Sequence, residues 1–254
     1  ATGWLIGPEK GGMAAMFTMM NNARLGVGGQ GIGAAEAAYQ HAVAYAQDRK
    51  QGRAGADGKG SIVDHADVRR MLAGMKADVF AARAIALSCA YALDMAHATR
   101  DPAWAARAAL LTPIAKAFGT DTGIAVSETG VQVHGGMGYV EETGAAQFSR
   151  DVRVTAIYEG TNGIQAMDLV ARKMMDGGEA AARLFDEMEA DVETARPDFP
   201  NMADAVWQAC ESLREVTEWL VAQDNMNTRF AGAVPYLRAF ARVLGAQLHL
   251  KAAI

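Results

Sequence analysis

The chain has 254 residues, of which 51% are hydrophobic and 21% charged, with 27 glycines, 6 prolines and a formal charge of −5 at pH 7. At about 150 residues per domain, this length allows one large domain or two small ones. The mild acidity, with both signs interspersed, argues against a nucleic acid as partner. No uncharged stretch reaches the ~20 residues of a membrane span, so we expect a soluble chain with no membrane partner.

The cysteines and histidines exclude two further classes of protein. Cys89 and Cys210 lie far apart inside apolar helical patterns, which argues against a disulfide scaffold and a thiolate metal cluster. The five histidines form no cluster typical of a metal site, so we predict no metal. A charged-then-apolar leader is not visible either, and we therefore expect a cytoplasmic location.

The pattern of apolar residues predicts an all-α protein, because proline is scarce and alanine abundant. Apolar residues recur every three or four positions from Met13 to about Arg49, which predicts a first long helix. Residues 52–60 alternate Gly, Asp and Lys without a period and are typical of a loop. A second helix is predicted from about Asp64 to Thr99.

A third long helix is predicted to begin at Asp101 and Pro102, which suit the N-cap and the first helical position. It ends at His134, where two glycines follow. Short helices over 143–150 and 161–175 complete an up-down helical bundle across residues 11–176.

The two ends of the chain differ from this bundle. Trp4-Leu5-Ile6 resembles the end of a strand, so residues 1–10 are predicted to be the stub of a preceding β domain. After Gly177 and Gly178 the composition becomes more acidic. Residues 177–254 are predicted to form a C-terminal helical extension with three helices and a hinge at 196–200.

The segment Gly26–Gly31 matches the G-x-G-x-x-G fingerprint of dinucleotide-binding proteins. That fingerprint requires a strand before the glycines and a helix after them. Here a helical pattern runs through the motif. We therefore interpret these glycines as small residues that let two helices approach closely.

The stretch from Gln132 to Gln165 is the best candidate for chemistry. Its first part ends a helix in a glycine cluster, where the backbone can approach a flat or anionic ligand. Its second part places Glu159 between an apolar run and a helix start capped by Thr161. Taken alone, Glu159 is interpreted as an acid favoured at a helix N-terminus.

Three blocks together resemble the C-terminal half of an acyl-CoA dehydrogenase across residues 1–175. They are Arg49-Lys50-Gln51, the segment Gln132–Gly138, and Tyr158–Thr161 followed by Ile164-Gln165. They occur in that family's order and spacing. The segment Met16–Arg24 and the acidic tail resemble a larger-subunit branch that includes the 3-methylmercaptopropionyl-CoA dehydrogenases.

The resemblance implies an FAD-dependent dehydrogenation of an acyl-CoA thioester to the trans-2-enoyl-CoA. Glu159 would be the catalytic base that removes the α-proton, while the β-hydrogen leaves as hydride to flavin N5. Gly160 would contact the substrate, and Asn21 and Arg24 match a CoA-contacting pair. Arg24 has an alternative interpretation as an ion pair inside the bundle.

The resemblance also implies cofactor contacts and partners. Arg49 and Gln51 would face the flavin diphosphate of a neighbouring subunit, and Thr161 would contact the flavin. The adenosine part would meet a segment across the dimer interface that comprises Gln132, His134, Gly135 and Gly136. The implied partners are an electron-transfer flavoprotein and further subunits, as a homodimer or a dimer of dimers.

Two departures from the family pattern concern cofactor contacts: Gly52 replaces an aromatic residue and Gly163 replaces a glutamine. The family also has an N-terminal helical domain and a middle β domain, so we expect this chain alone to be inactive and to carry little FAD. Two alternatives stay open. One is a flavoprotein of the same fold with another role, and the other is a helical oligomerisation module.

Overall fold

The computed structural model describes all 254 residues and contains helices but no strand, which confirms the all-α prediction. The long antiparallel helices α1, α2 and α3 form the bundle, as the periodicity predicts. The helices are α1 (Gly12–Asp48), α2 (Ala66–Thr99), α3 (Pro102–His134), α4 (Gly136–Tyr139), α5 (Ala145–Val152), α6 (Asn162–Val170), α7 (Glu179–Ala195), α8 (Pro200–Val221), α9 (Met226–Ala231) and α10 (Ala233–Ala253).

Helix α3 is the centre of the molecule and packs against α1, α2, α5 and α6. Its start is the predicted one: the Asp101 carboxylate accepts a hydrogen bond from the backbone N–H of Ala103 at 2.8 Å, and Pro102 is the first helical residue. Its end at His134 is followed by Gly135, whose φ of +61° ends the helix.

Helices α1 and α3 touch through glycine backbone, as the helix-packing interpretation of the Gly26–Gly31 motif predicts. A Cβ at Gly31 would lie 2.5 Å from the carbonyl oxygen of Gly119, and a Cβ at Gly123 would lie 2.7 Å from the carbonyl oxygen of Gly31. The motif lies inside α1 with no strand before it, so the dinucleotide fingerprint does not apply here.

The largest of three buried hydrophobic clusters runs through the bundle and the C-terminal helices. Leu111 of α3 and Leu169 of α6 belong to the same buried cluster as Phe185 of α7 and Phe240 of α10. The rings of Phe185 and Phe240 lie 5.4 Å apart. Residues 178–254 therefore share a core with the helices that precede them.

Other details differ from the predicted pattern. Residues 1–6 lie in no strand and Trp4, Leu5 and Ile6 are exposed, since this chain contains no second strand to pair with them. The β-domain stub stays a prediction. Helix α9 was not predicted, and the segment predicted as one helix over 161–175 is α6 followed by a short 3-10 turn.

Helix α2 is, by length and composition, apolar enough to cross a lipid bilayer. It packs on α3, α1 and α10, and a single helix of this kind is weak evidence for a membrane segment. Both cysteines are buried and free.

Candidate functional site

The Glu159 loop, residues 157–162, connects a short 3-10 turn at Arg153–Ala156 to the start of α6. Glu159 and Gly160 both adopt left-handed backbone conformations, with φ of +55° and +86°. Glycine accepts this conformation freely, whereas a residue with a Cβ pays roughly 1–2 kcal/mol. The conformation of Glu159 therefore has to be imposed by its surroundings.

Two buried side chains hold the carbonyl groups of this loop. The Gln165 Nε2 group donates to the carbonyl oxygens of Glu159 at 3.1 Å and Gly160 at 3.2 Å. The Lys116 Nζ group donates to the Gly160 carbonyl oxygen at 2.9 Å. The Thr161 hydroxyl accepts the N–H of Ile164 at 3.4 Å, which confirms Thr161 as the N-cap of α6.

Lys116 is a site residue that the sequence reasoning missed. It lies on α3, is 0% exposed, and also donates to Asn162 Oδ1 at 3.0 Å. Burial lowers the pKa of Lys116 to about 8, while the negative charges of Asp121 and Glu159 partly offset this effect. In the sequence, only the position of this one lysine within an otherwise apolar helical pattern could have indicated its role.

Large apolar side chains of the Glu159 loop and of α6 are exposed. Ile157, Ile164 and Met167 are 56%, 46% and 37% exposed, which is unusual for large apolar residues that neighbour one another. Glu159 itself is half-buried. This surface combines one carboxylate with an apolar rim, so it suits a ligand that is apolar near the carboxylate.

Asn21 and Arg24 lie on α1, and Arg24 is buried. The Arg24 guanidinium donates to Asp168 Oδ2 and to Asn21 Oδ1, both at 3.1 Å. The structure thus shows Arg24 in the alternative role, as an ion pair inside the bundle. The contact of this pair with CoA stays a prediction.

The predicted cofactor residues other than Thr161 form a second group where α1 and α3 end. Tyr45 of α1 stacks on His134 of α3 with ring centroids 4.2 Å apart, which brings the residues that follow each helix to one side of the molecule. Arg49 and Gln51 are exposed and hydrogen-bonded to each other at 3.1 Å. Arg49 makes no ion pair within the chain.

The chemistry of this second group fits a dinucleotide cofactor at most positions. Gly135 and Gly136 are exposed with open space beside them, so bare backbone is accessible to a flat ring, and Gln132 is exposed as well. The free cation of Arg49 suits a diphosphate. His134 differs, because it is buried behind the surface and its contact with the adenosine stays a prediction.

The two groups are far apart on this chain. Lys116, beside the Glu159 loop, and His134 are separated by 18 positions of α3, which corresponds to about 27 Å along the helix axis. They therefore form two surfaces, one with the carboxylate and one with the exposed glycines.

Comparisons with known proteins show which family the chain resembles. The family model described as "Acyl-CoA dehydrogenase, C-terminal domain" matches residues 10–175, and the one described as "Acetyl-CoA dehydrogenase C-terminal like" matches residues 184–254. The 3-methylmercaptopropionyl-CoA dehydrogenase of Ruegeria pomeroyi is 42% identical over 250 residues, covering 93% of this chain and 42% of that protein.

Solved structures share the fold over nearly the whole chain. Caenorhabditis elegans ACDH-11 in complex with C11-CoA matches with a TM-score of 0.84 at 21% identity, covering 98% of this chain and 42% of that one. The Bacillus anthracis acyl-CoA dehydrogenase complexed with FAD matches with a TM-score of 0.70 at 20% identity, covering 97% and 45%. The chain thus spans about two-fifths of the curated relative and of the first of these structures. The chain belongs to the acyl-CoA dehydrogenase family.

Proposed function

We propose that this chain is the C-terminal part of an FAD-dependent acyl-CoA dehydrogenase that converts an acyl-CoA thioester to the trans-2-enoyl-CoA. The observation that carries the proposal is the Glu159 carboxylate, held on a left-handed turn beside exposed apolar side chains. Support also comes from the family membership and from the relative's name. FAD, when bound, supplies the acceptor for the hydride that leaves the β-carbon.

Glu159 acts as the base in this proposal. Its carboxylate takes the proton from the α-carbon of the acyl chain. The Lys116 ammonium group is close enough to interact with this charge, and it donates to the carbonyl oxygen of the neighbouring Gly160 at 2.9 Å. Ile157, Ile164 and Met167 line the approach and exclude water from the apolar chain.

The second group of residues holds the cofactor. Arg49 and Gln51 bind the diphosphate, and the glycine segment receives the adenosine, with Thr161 near the flavin at the other site. The separation of about 27 Å along α3 supports an assignment of the two groups to cofactors of two different subunits. A Cβ added at Gly163 would meet only the Thr161 hydroxyl oxygen, at 3.9 Å. The glycine therefore leaves space beside Thr161 that a longer side chain would fill.

The remaining parts of the proposal concern partners. The assembled protein is a homodimer or a dimer of dimers, because the second group of residues needs the cofactor of a neighbouring subunit. Its location in this proposal is the cytoplasm. Electrons pass from the reduced flavin to an electron-transfer flavoprotein. Size-exclusion chromatography with light scattering on the full-length subunit tests the first point: a strictly monomeric, fully active enzyme would contradict it.

The substitution Glu159→Gln in the full-length subunit tests the role of Glu159. We expect dehydrogenation of acyl-CoA substrates to fall by about 10²–10⁴-fold, the usual contribution of a general base, while the flavin absorbance stays unchanged. The assay uses short, medium, branched and thioether acyl-CoAs with an artificial electron acceptor. Glu142→Gln is the matched control, since Glu142 is exposed on the 3-10 turn Glu141–Thr143 that precedes α5. Retained activity in Glu159→Gln would favour a purely oligomerising role for this bundle.

A further inference from the structure

The Glu159 loop depends on groups that come from a distant part of the chain. Lys116 and Gly160 are 44 positions apart, yet the Lys116 Nζ group lies 2.9 Å from the Gly160 carbonyl oxygen. Gln165 reaches the same carbonyl from within α6. Gly160 is thus bonded by both α3 and α6, and the adjacent Glu159 by α6 alone.

The charge of Lys116 is not explained by packing alone. The side chain is 0% exposed and its two hydrogen-bond acceptors, the Gly160 carbonyl and the Asn162 amide, are both neutral. A fully buried lysine without a directly bonded carboxylate is rare, because desolvation of an ammonium group is costly. The charged groups that face it are Arg24 from α1, Asp121 from α3 and Glu159 from the loop.

We propose that Lys116 is a positioning residue for Glu159: its buried ammonium group, bonded to the Gly160 carbonyl, holds the left-handed turn that carries the Glu159 carboxylate. Asn162 extends the connection, because its Nδ2 group donates to Asp121 Oδ1 at 2.7 Å while its Oδ1 accepts from Lys116. This inference rests on the proposed role of Glu159 as the base.

A lysine titration on the 254-residue chain tests whether the Lys116 ammonium group lies beside the turn that carries the Glu159 carboxylate. With ¹³C-labelled lysine, the Lys116 signal should titrate near pH 8. In Glu159→Gln the pKa of Lys116 should fall further, because the carboxylate that favours the charged ammonium is gone. Glu142→Gln should leave the titration in place. An unchanged Lys116 titration in Glu159→Gln would overturn the inference, and this readout requires no substitution of Lys116.

The substitution Lys116→Met tests the positioning role. Its two acceptors keep other donors, since Gln165 still reaches Gly160 and the Thr120 hydroxyl still reaches Asn162, so we expect the variant to fold. In the full-length, FAD-loaded subunit, kcat should fall about ten-fold with KM changed less than about two-fold, because a slight misplacement of a catalytic group costs rate. Lys116→Arg should recover part of kcat, and Lys76→Met, on an exposed face of α2, should match the parent.

The outcomes separate this inference from the proposed function. If Lys116→Met and Lys76→Met have the same kcat while Glu159→Gln is inactive, Lys116 has only a structural role and the inference is wrong. If Glu159→Gln is active, the proposed function fails, whatever the titration of Lys116 shows. Backbone amide shifts of residues 159–162 that change in Lys116→Met but not in Lys76→Met would support the inference directly.

Discussion

At the scale of single residues, His134 shows how burial changes the expected role of a motif residue. Its ring lies between His41 and Tyr45, with centroid distances of 4.8 and 4.2 Å. Its Nδ1 lies 2.7 Å from the Gly130 carbonyl oxygen, and its Nε2 has no partner. Burial lowers the pKa of His134, His41 lowers it further, and the bond to Gly130 works in the opposite direction.

This lowered pKa makes His134 a source of acid sensitivity. Between the lowered pKa of the folded state and the ordinary value of about 6.5, the unfolded chain binds more protons than the folded one. The free energy of unfolding should therefore decrease as the pH falls below about 6.5. We expect His134→Phe, which retains an aromatic ring, to remove much of this decrease in urea unfolding measured at several pH values. His97→Gln, at an exposed position, should keep it; an identical pH dependence in His134→Phe would contradict the prediction.

At the scale of elements, the distance between α1 and α3 is set by glycines. Gly28 and Gly31 of α1 face Gly119 and Gly123 of α3, and a Cβ at any of these four positions would come within 3 Å of the opposite backbone. This contact lies next to Lys116, whose Cα is 3.3 Å from the ideal Cβ position of Gly28. This close contact of the four glycines, called the glycine seam below, therefore also fixes the position of the Lys116 backbone.

We expect Gly31→Ala to destabilise the chain by about 3 kcal/mol, because overpacking forces two helix backbones apart. The matched control is Gly29→Ala, two positions away on the same helix and with nothing within 4 Å of its Cβ position. It should stabilise the chain by up to about 1 kcal/mol through helix propensity. Chemical denaturation of both variants measures the difference, and equal effects would show that the seam can relax.

Elements were predictable from the sequence to the extent that their signals are local. The periodicity of apolar residues and the Asp101-Pro102 cap predict three long helices whose ends the structure places within about two residues. Family motifs point to Glu159. Lys116 could not be found this way, because its bond to Gly160 spans 44 positions. The burial of Arg24 and His134 likewise depends on partners from other helices.

At the scale of the whole molecule, the C-terminal helices are structural neighbours of the Glu159 loop. Helix α10 packs on α2 and on α6, the helix that follows the Glu159 loop. The Arg238 guanidinium of α10 reaches Asp121 Oδ2 at 3.4 Å, and Asp121 accepts from Asn162. Residues 178–254 therefore support the loop through α6 as well as covering the core.

We expect the chain to unfold in a single transition in differential scanning calorimetry, because bundle and C-terminal helices share one core. Phe240→Ala, at a position that is 0% exposed, should lower the stability of the whole transition by about 3–5 kcal/mol. Val234→Ala, on the exposed side of the same helix, should have little effect. Two separate transitions, with only one shifted by Phe240→Ala, would show that the two regions fold independently.

The glycine seam also determines which mutations a gene encoding this chain could tolerate. Every missense change at a glycine codon adds a Cβ, so Gly28 and Gly31 have no conservative replacement. Gly26, Gly29 and Gly33 stand on the open side of the same helix and can vary. Inherited variation along this short stretch should consequently rise and fall with the turn of the helix.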